Sequence, residues 1–387
     1  DVLHHDVEPV LILDVEGGDH VGVVDPRREP RLVDEHPREL LLALEVPVDL
    51  LVESMQFSNG RVDFQDHFIR PNYRADLSEL SGRVGRLDSR SRDMATLQFS
   101  GRVSDLTGGL KVRRVLPAAV CRSVGPFVFF DHFGPVELSA TSDSDIGPHP
   151  HIGLATVSYL FEGHLLHRDS LGSVQTISPG AINWMTAGRG IVHSERTIDA
   201  GLRQARRLHG LQLWVALPPD QEQCEPSFQH VPASAIPEQQ QLGGVKIRVL
   251  VGQAFGLCSP VNTTSTTLYL DITLPAGSSW QLPPLAPQMA IYSPQHDIEI
   301  NGNNIAAQQM AILPPDVVNQ IHGTSHAVRF VVIGGEPLQQ PIRMWWNFVS
   351  SDPQRIADAA QRWENGGFPT IPGEGAGIAA PKWPAPR

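Results

Sequence analysis

The feature that most constrains the fold of this chain is a series of short apolar runs that alternate with polar residues. From about Leu106 onward such runs recur and end at glycine or proline, as at residues 155–161, 173–177 and 211–217. Alternation with a period of two places successive side chains on opposite faces of a strand, and glycine and proline mark the turns between strands. The pattern therefore predicts an all-β protein built as a sandwich or a barrel.

A second β domain of similar size is predicted after a polar stretch at residues 232–244, which we interpret as a linker or long loop. Strand patterns resume at residues 246–251, 267–274, 289–292, 298–300, 311–313 and 328–333. Residues 353–363 have helical spacing, with Ser351 or Asp352 as N-cap and Gly366-Gly367 as the stop. The tail beyond Pro369 is rich in proline, glycine and alanine, and we expect it to run extended over the surface.

Residues 1–93 differ from the rest because they show no sustained period of 2 or 3.6. They carry 20 acidic and 11 basic side chains, so most of the net charge of −12 lies in them. Lysine is absent before Lys111, and Met94 resembles a natural start. We expect residues 1–93 to be an extension that is disordered or not native; a small fused domain is the alternative.

Composition excludes several classes of protein. The net charge of −12 argues against a surface for nucleic acid. No apolar run approaches the roughly 20 residues that a membrane span requires. The three cysteines, Cys121, Cys224 and Cys258, are far apart and lack C-x-x-C spacing, which favours a reducing compartment. We therefore expect a cytoplasmic protein without a membrane or nucleic-acid partner.

Two short strings carry side chains that bind metals: His149-Pro150-His151 and His193-Ser194-Glu195. Residues at i and i+2 of a strand point to the same face, roughly 7 Å apart. Each pair alone is weak, because such pairs are often solvated surface residues. Facing each other inside a barrel, they would place three imidazoles and one carboxylate around one divalent metal with room for substrate and O2.

Several longer motifs resemble the pirin family. The matching runs are 124–135 (VGPFVFFDHFGP), 148–151 (PHPH), 159–163 (YLFEG), 167–172 (HRDSLG), 183–195 (NWMTAGRGIVHSE), 334–338 (GGEPL) and 345–350 (WWNFVS). The run 183–195 is the most specific of them. The resemblance covers about residues 106–374 and leaves the first 93 residues outside it.

The resemblance implies two cupin barrels packed together, with a C-terminal helix and an extended tail. It implies a single Fe(II), with Mn, Ni, Cu or Zn as alternatives, held by His149, His151, His193 and Glu195. The predicted organisation is an extension at 1–93, a metal-binding cupin domain at 94–231, a linker at 232–244 and a cupin domain without metal at 245–387. The chain departs from the family at Ala155, where a glutamate is common.

For function, the resemblance implies a quercetin 2,3-dioxygenase-type enzyme that cleaves a flavonol with O2. In this interpretation Glu195 is also the general base that takes the proton of the substrate hydroxyl. The alternative is a non-enzymatic regulator that senses metal or redox state and binds partner proteins. The nearby histidines His164 and His167 are interpreted as facing solvent, with Asp131 and His132 either orienting a ligand or stabilising a turn.

Overall fold

The computed structural model describes residues 97–107, 110–140, 142, 144–198 and 205–382, together with the backbone of six strands within residues 12–88. The chain divides into two compact units, Asp1–Phe99 and Ser100–Arg387. No helix among these described residues is long and apolar enough to cross a membrane.

The described residues of the first unit form strands. They are β1 (Ile12–Asp14), β2 (Glu39–Leu41), β3 (Leu51–Val52), β4 (Met55–Asp66), β5 (Tyr73–Val84), β6 (Leu87–Asp88) and β7 (Leu97–Ser100), of which the last ends one residue into the second unit. The two long strands, β4 and β5, pair antiparallel. The prediction that residues 1–93 are a disordered or non-native extension lies, for most of its length, outside the described residues, and it stays a prediction.

The second unit begins with a barrel of two sheets. Its strands are β8 (Arg102–Thr107), β9 (Leu110–Leu116), β10 (Phe127–Leu138), β11 (Ile146–His151), β12 (Leu154–Glu162), β13 (Leu165–Asp169), β14 (Val174–Ile177), β15 (Ile182–Thr186), β16 (Ile191–Arg196), β17 (Arg206–Ala216) and β18 (Ser227–Val231). A seven-stranded sheet has the order β18-β15-β12-β17-β10-β9-β8, and a four-stranded sheet has the order β11-β16-β13-β14. Apolar residues of both sheets fill the interior, as the alternating pattern predicts.

A second barrel follows. Its strands are β19 (Glu238–Gln240), β20 (Lys246–Val251), β21 (Gln253–Ala254), β22 (Leu257–Cys258), β23 (Thr267–Leu274), β24 (Ser279–Leu282), β25 (Gln288–Tyr292), β26 (Ile298–Ile300), β27 (Asn303–Ile305), β28 (Gln309–Ile312), β29 (Asn319–His322) and β30 (Val328–Gly335). Six of them follow the order β19-β20-β23-β30-β25-β28, and four follow β24-β29-β26-β27. The stretch 232–244 contains two short 3-10 helices and β19, which pairs with β20.

The chain then returns to the first barrel. The hairpin of β31 (Arg343–Trp345) and β32 (Phe348–Ser350) leads into helix α1 (Pro353–Glu364). The side chain of Asp352 caps α1 by accepting a hydrogen bond from the backbone N–H of Gln354. The helix buries Ile356 against Val192 of β16, so the C-terminal segment packs on the outside of the four-stranded sheet.

Polar contacts join the two barrels. The Tyr159 hydroxyl of β12 donates to Asp271 Oδ2 of β23 over 2.5 Å. Arg329 of β30 binds both oxygens of the same carboxylate, at 2.9 and 2.6 Å. The prediction of an all-β chain with two barrels packed together, a C-terminal helix and an extended tail is confirmed.

Candidate metal centre

The centre forms where β11 and β16 pair antiparallel. His149 lies directly opposite His193, and His151 lies opposite Ile191. Cross-strand partners project from the same face of a sheet, as do residues i and i+2 of one strand. The H-x-H and H-x-E spacing therefore brings all three imidazoles to the inner face of the four-stranded sheet.

The three histidines form one compact group. One ligand atom from each of them lies within 4.8 Å of the other two, and all three residues are buried. The Nε2 atoms of His151 and His193 are 3.1 Å apart. Ligands at about 2.0–2.1 Å from one ion are separated by roughly this distance, so the group fits a transition metal.

Two backbone carbonyls orient the imidazoles. His149 Nδ1 lies 2.9 Å from the Gly147 carbonyl oxygen, and His151 Nδ1 lies 3.1 Å from that of Asn347. Each Nδ1–H donates to its carbonyl, which leaves the Nε2 lone pair directed at the centre. His193 Nδ1 is buried and has no hydrogen-bond partner among the described residues.

The imidazoles are in the neutral form that binds metals. Burial lowers the pKa of His149 to about 4. Burial, followed by the neighbouring imidazoles, holds the pKa of His151 and of His193 well below the usual value. A neutral imidazole keeps the lone pair that a divalent ion needs, so the donor set fits the metal that the sequence predicts.

Glu195 shares the inner face of β16 with His193 but lies outside the group of three ligand atoms within 4.8 Å. It is half-buried and pairs across the sheet with His167 of β13. Burial raises the pKa of Glu195 to about 7, opposed by its interaction with the Ser158 side chain. The assignment of Glu195 as fourth ligand and as general base stays a prediction.

His167 corrects the sequence interpretation, because it is buried rather than facing solvent. Its Nε2 lies 2.9 Å from Asp169 Oδ2, its ring stacks on Phe228 with centroids 4.3 Å apart, and its ring centroid is 5.4 Å from that of His193. The other Asp169 oxygen accepts two backbone N–H groups, which orients the carboxylate. The i, i+2 spacing of His167 and Asp169 was the signal that could have identified this pair.

The seven-stranded sheet contributes an aromatic wall. Trp214 of β17 stacks on Phe129 of β10 with ring centroids 3.9 Å apart. The centroid of the His151 ring is 5.1 Å from that of Trp214, in an edge-to-face arrangement. Met185 belongs to the same apolar cluster. A planar apolar ring at the histidines would therefore contact aromatic surface rather than water.

Asp131 and His132 lie within β10 and not in a turn. The Arg114 guanidinium donates to both Asp131 oxygens, at 3.0 and 2.9 Å. His132 bonds His209 and the Tyr292 hydroxyl of the second barrel, each at 2.9 Å. Neither side chain bonds one of the three histidines, so neither of the two roles considered from the sequence describes them.

The C-terminal tail braces β16 from outside. The Glu374 carboxylate accepts a hydrogen bond from Ser194 Oγ at 2.9 Å and forms an ion pair with Arg196. The backbone N–H of Ile378 donates to the Pro148 carbonyl of β11 at 2.8 Å. Ser194 lies between His193 and Glu195, so this segment holds the strands that carry the ligands.

The interior of the second barrel is filled by apolar residues, unlike the histidine-lined interior of the first. Twenty-one buried apolar residues fill it, among them Ile291, Phe330 and Val332. Within the part of the chain that the structure describes, the three histidines of the first barrel are the one group suited to a metal. At the departure from the family pattern, Ala155 is fully buried and pairs with Thr186 and Val215, so it packs in the core away from the ligands.

Comparisons with known proteins agree with this geometry. The family model for Pirin matches residues 109–215, and the model for the Pirin C-terminal cupin domain matches residues 269–369. The chain is 41% identical over 276 residues to a pirin-like protein of Caulobacter vibrioides, covering 70% of this chain and 94% of that protein. It is 33% identical over 285 residues to human pirin, covering 71% of this chain and 93% of that protein.

A solved structure is also similar. The crystal structure of a quercetin 2,3-dioxygenase from Acinetobacter baumannii matches with a TM-score of 0.70 at 33% sequence identity. The match covers 76% of this chain and 97% of that protein. The matched arrangement of two barrels is thus found in a protein described as a dioxygenase.

Proposed function

The chain belongs to the pirin family, and from that premise we propose that it is a metal-dependent dioxygenase that cleaves a flavonol such as quercetin with O2. The observation that carries this proposal is the group formed by His149, His151 and His193. Three neutral imidazoles on one inner face leave coordination positions open for a chelating substrate. The similarity to a quercetin 2,3-dioxygenase supports the choice of substrate.

We propose Fe(II) as the ion, with Mn, Ni, Cu and Zn as further divalent ions that this donor set accommodates. When bound, the ion supplies a Lewis acid that lowers the pKa of the substrate's enolic hydroxyl. Glu195, as part of this proposal, completes the ligand set from the adjacent inner position of β16. Its side chain lies on the same face of β16 as that of His193, which is the position this role needs.

The residues of the chain contribute orientation and a proton acceptor. The carbonyls of Gly147 and Asn347 hold two of the ligand rings, and the Trp214 ring lies against the His151 ring and so covers one side of the site. As part of this proposal, the Glu195 carboxylate oxygen that does not hold the ion accepts the substrate hydroxyl proton.

The test compares His193→Ala with His164→Ala. His164 is exposed and bonds Ser178 Oγ, so its loss leaves the centre intact. Metal per chain is measured by elemental analysis, and turnover by loss of the flavonol absorbance band in air. We expect His193→Ala to lose both metal and turnover, and His164→Ala to keep both.

Two results would overturn the proposal. If His193→Ala retained full metal content and full turnover, the assigned centre would be wrong. If the metal-loaded wild-type protein consumed no member of a flavonol panel, the dioxygenase would be excluded. That second result would favour the alternative of a metal-sensing regulator that binds partner proteins.

A further inference from the structure

A row of polar side chains crosses the inner face of the seven-stranded sheet, on the wall opposite the three histidines. In order across six neighbouring strands its members are Arg114, Asp131, Gln212, Ser158, Asn183 and His230. The register pairs each member with the next, and cross-strand partners project from one face. Trp214 lies two residues from Gln212 on β17, and Met185 lies two residues from Asn183 on β15. Both belong to the interior apolar cluster, so the row faces the interior of the barrel.

The row lies between two apolar layers. On the side of the histidines is the layer that includes Phe129, Trp214 and Met185. On the other side is a layer that includes Phe133 and Leu160. Polar groups placed between apolar layers lose hydration, and they lower stability unless each donor and acceptor has a partner. A donor of the row without a protein partner is therefore available to a bound ligand.

Among the residues that the structure describes, two amide nitrogens of the row have no hydrogen-bond partner. The Ser158 hydroxyl donates to Gln212 Oε1 at 2.8 Å, and His230 Nδ1 donates to Asn183 Oδ1 at 2.7 Å. Arg114 and Asp131 satisfy each other at one end of the row. Gln212 Nε2 and Asn183 Nδ2 contact no hydrogen-bond acceptor among the described residues. These two donors flank Ser158 at the centre of the row.

The row and the histidines line the same interior. Trp214, two residues from Gln212 on β17, has its ring centroid 5.1 Å from that of His151. An oxygenated ring that extends from the histidines past Trp214 would therefore meet the two amides next.

We propose that Gln212 Nε2 and Asn183 Nδ2 donate hydrogen bonds to oxygen substituents of a substrate bound at the histidines. The row then selects planar aromatic molecules that carry hydroxyl groups remote from the pair of oxygens that binds the metal. The inference rests on the proposed function, and it adds the residues that choose among substrates of that class.

The test uses protein loaded with Zn(II), which binds a flavonol without redox turnover. Wild type, Gln212→Met and Asn183→Asp are titrated with quercetin and with 3-hydroxyflavone, and binding is followed by the flavonol absorbance. Asn183→Asp keeps the acceptor for His230 and removes the donor. Gln229→Met is the matched control, because Gln229 points to the outer face of β18 and bonds the Asn262 backbone.

We expect Gln212→Met and Asn183→Asp each to weaken quercetin binding about tenfold, the value of one hydrogen bond. Binding of 3-hydroxyflavone, which has only the chelating oxygens, is expected to stay within about twofold because no hydrogen bond to the row is lost. Gln229→Met is expected to leave both affinities and the zinc content unchanged.

Failure of the proposed function and failure of the recognition by the row give different results in this titration. If wild type binds neither flavonol, the proposed function fails and this inference fails with it. If wild type binds both and the variants keep the same ratio of affinities, only the recognition by the row is overturned. If a variant loses zinc and both flavonols together, the row acts by supporting the fold, and the inference is again overturned.

Discussion

Two buried tyrosines at the junction of the barrels allow a matched test of what a buried hydroxyl contributes to stability. Tyr159 and Tyr269 are both fully buried, with ring centroids 5.9 Å apart. The Tyr159 hydroxyl donates to Asp271 and accepts from Arg248 at 2.8 Å and Arg329 at 3.1 Å. The Tyr269 hydroxyl has no hydrogen-bond partner among the described residues.

The two Tyr→Phe substitutions should therefore differ in sign or size. Each hydrogen bond to a charged group contributes roughly 1.5–3 kcal/mol, and removing one partner leaves the others buried and unsatisfied. Arg248 keeps the carbonyls of Gly180 and Ala233, and Arg329 keeps Asp271, which limits the loss. We expect Tyr159→Phe to lower the free energy of unfolding by about 2–3 kcal/mol.

Tyr269→Phe removes a buried hydroxyl for which the described residues supply no hydrogen-bond partner. Its free energy of unfolding is expected to stay within about 0.5 kcal/mol of wild type or to rise. Urea unfolding followed by tryptophan fluorescence gives both values, and thermal midpoints should differ by about 2–4 °C per kcal/mol. Metal content should be equal in the two variants, because neither tyrosine contacts the histidines.

The reasoning would be refuted if the two substitutions destabilised the protein equally. It would also be refuted if Tyr269→Phe were the more destabilising of the pair. Either result would show that the loss reflects the packing of the buried hydroxyl group, which both residues have, and not the hydrogen bonds of Tyr159.

Three further predictions concern pH, the tail and helix α1. Burial lowers the pKa of His132 to about 3 and that of His209 to about 4. Between those values and about 6.5 the unfolded chain therefore binds more protons than the folded protein does. The thermal unfolding midpoint should fall as the pH is lowered through that range. Glu374→Gln should weaken Zn(II) affinity roughly threefold to tenfold in a competition titration. This is less than the roughly 10–100-fold loss for a direct partner of a metal ligand, because Glu374 bonds Ser194 and Arg196 and not a ligand histidine. Substitution of the exposed Glu364 by Gln should leave the affinity unchanged. Glu222→Ala removes the buried carboxylate that accepts hydrogen bonds from β32 and from the first turn of α1. Urea unfolding should show a free energy of unfolding lower by about 3 kcal/mol. A decrease below about 1 kcal/mol would contradict the role of Glu222 in anchoring α1.

Local patterns predicted the fold well because each depends on near neighbours in the chain. The alternation at 155–161 corresponds to β12, and the helical spacing at 353–363 corresponds to α1 with Asp352 as its cap. Glycine and proline turns bounded these elements as expected. A period of two and a capping residue act over a few residues, so their consequences can be derived without knowing what packs against them.

Within the centre, the sequence by itself determined that His149 and His151 share a face, and that His193 shares one with Glu195. Only the tertiary structure decided which groups surround them. His167 was interpreted as facing solvent, and it is buried because Phe228, 61 residues further along the chain, stacks on its ring. The carbonyl that orients His151 comes from Asn347, which is 196 residues away.

The difference between Tyr159 and Tyr269 has the same origin. Both lie in apolar strands and both are fully buried, so their local sequences predict the same environment for the two side chains. Packing of the two barrels brings Asp271 to the Tyr159 hydroxyl, whereas the Tyr269 hydroxyl meets no partner within the described part of the chain. Strand periodicity acts between neighbours in the chain, whereas hydrogen bonds, burial and ligand geometry depend on contacts between segments far apart in sequence, which form only when the barrels pack.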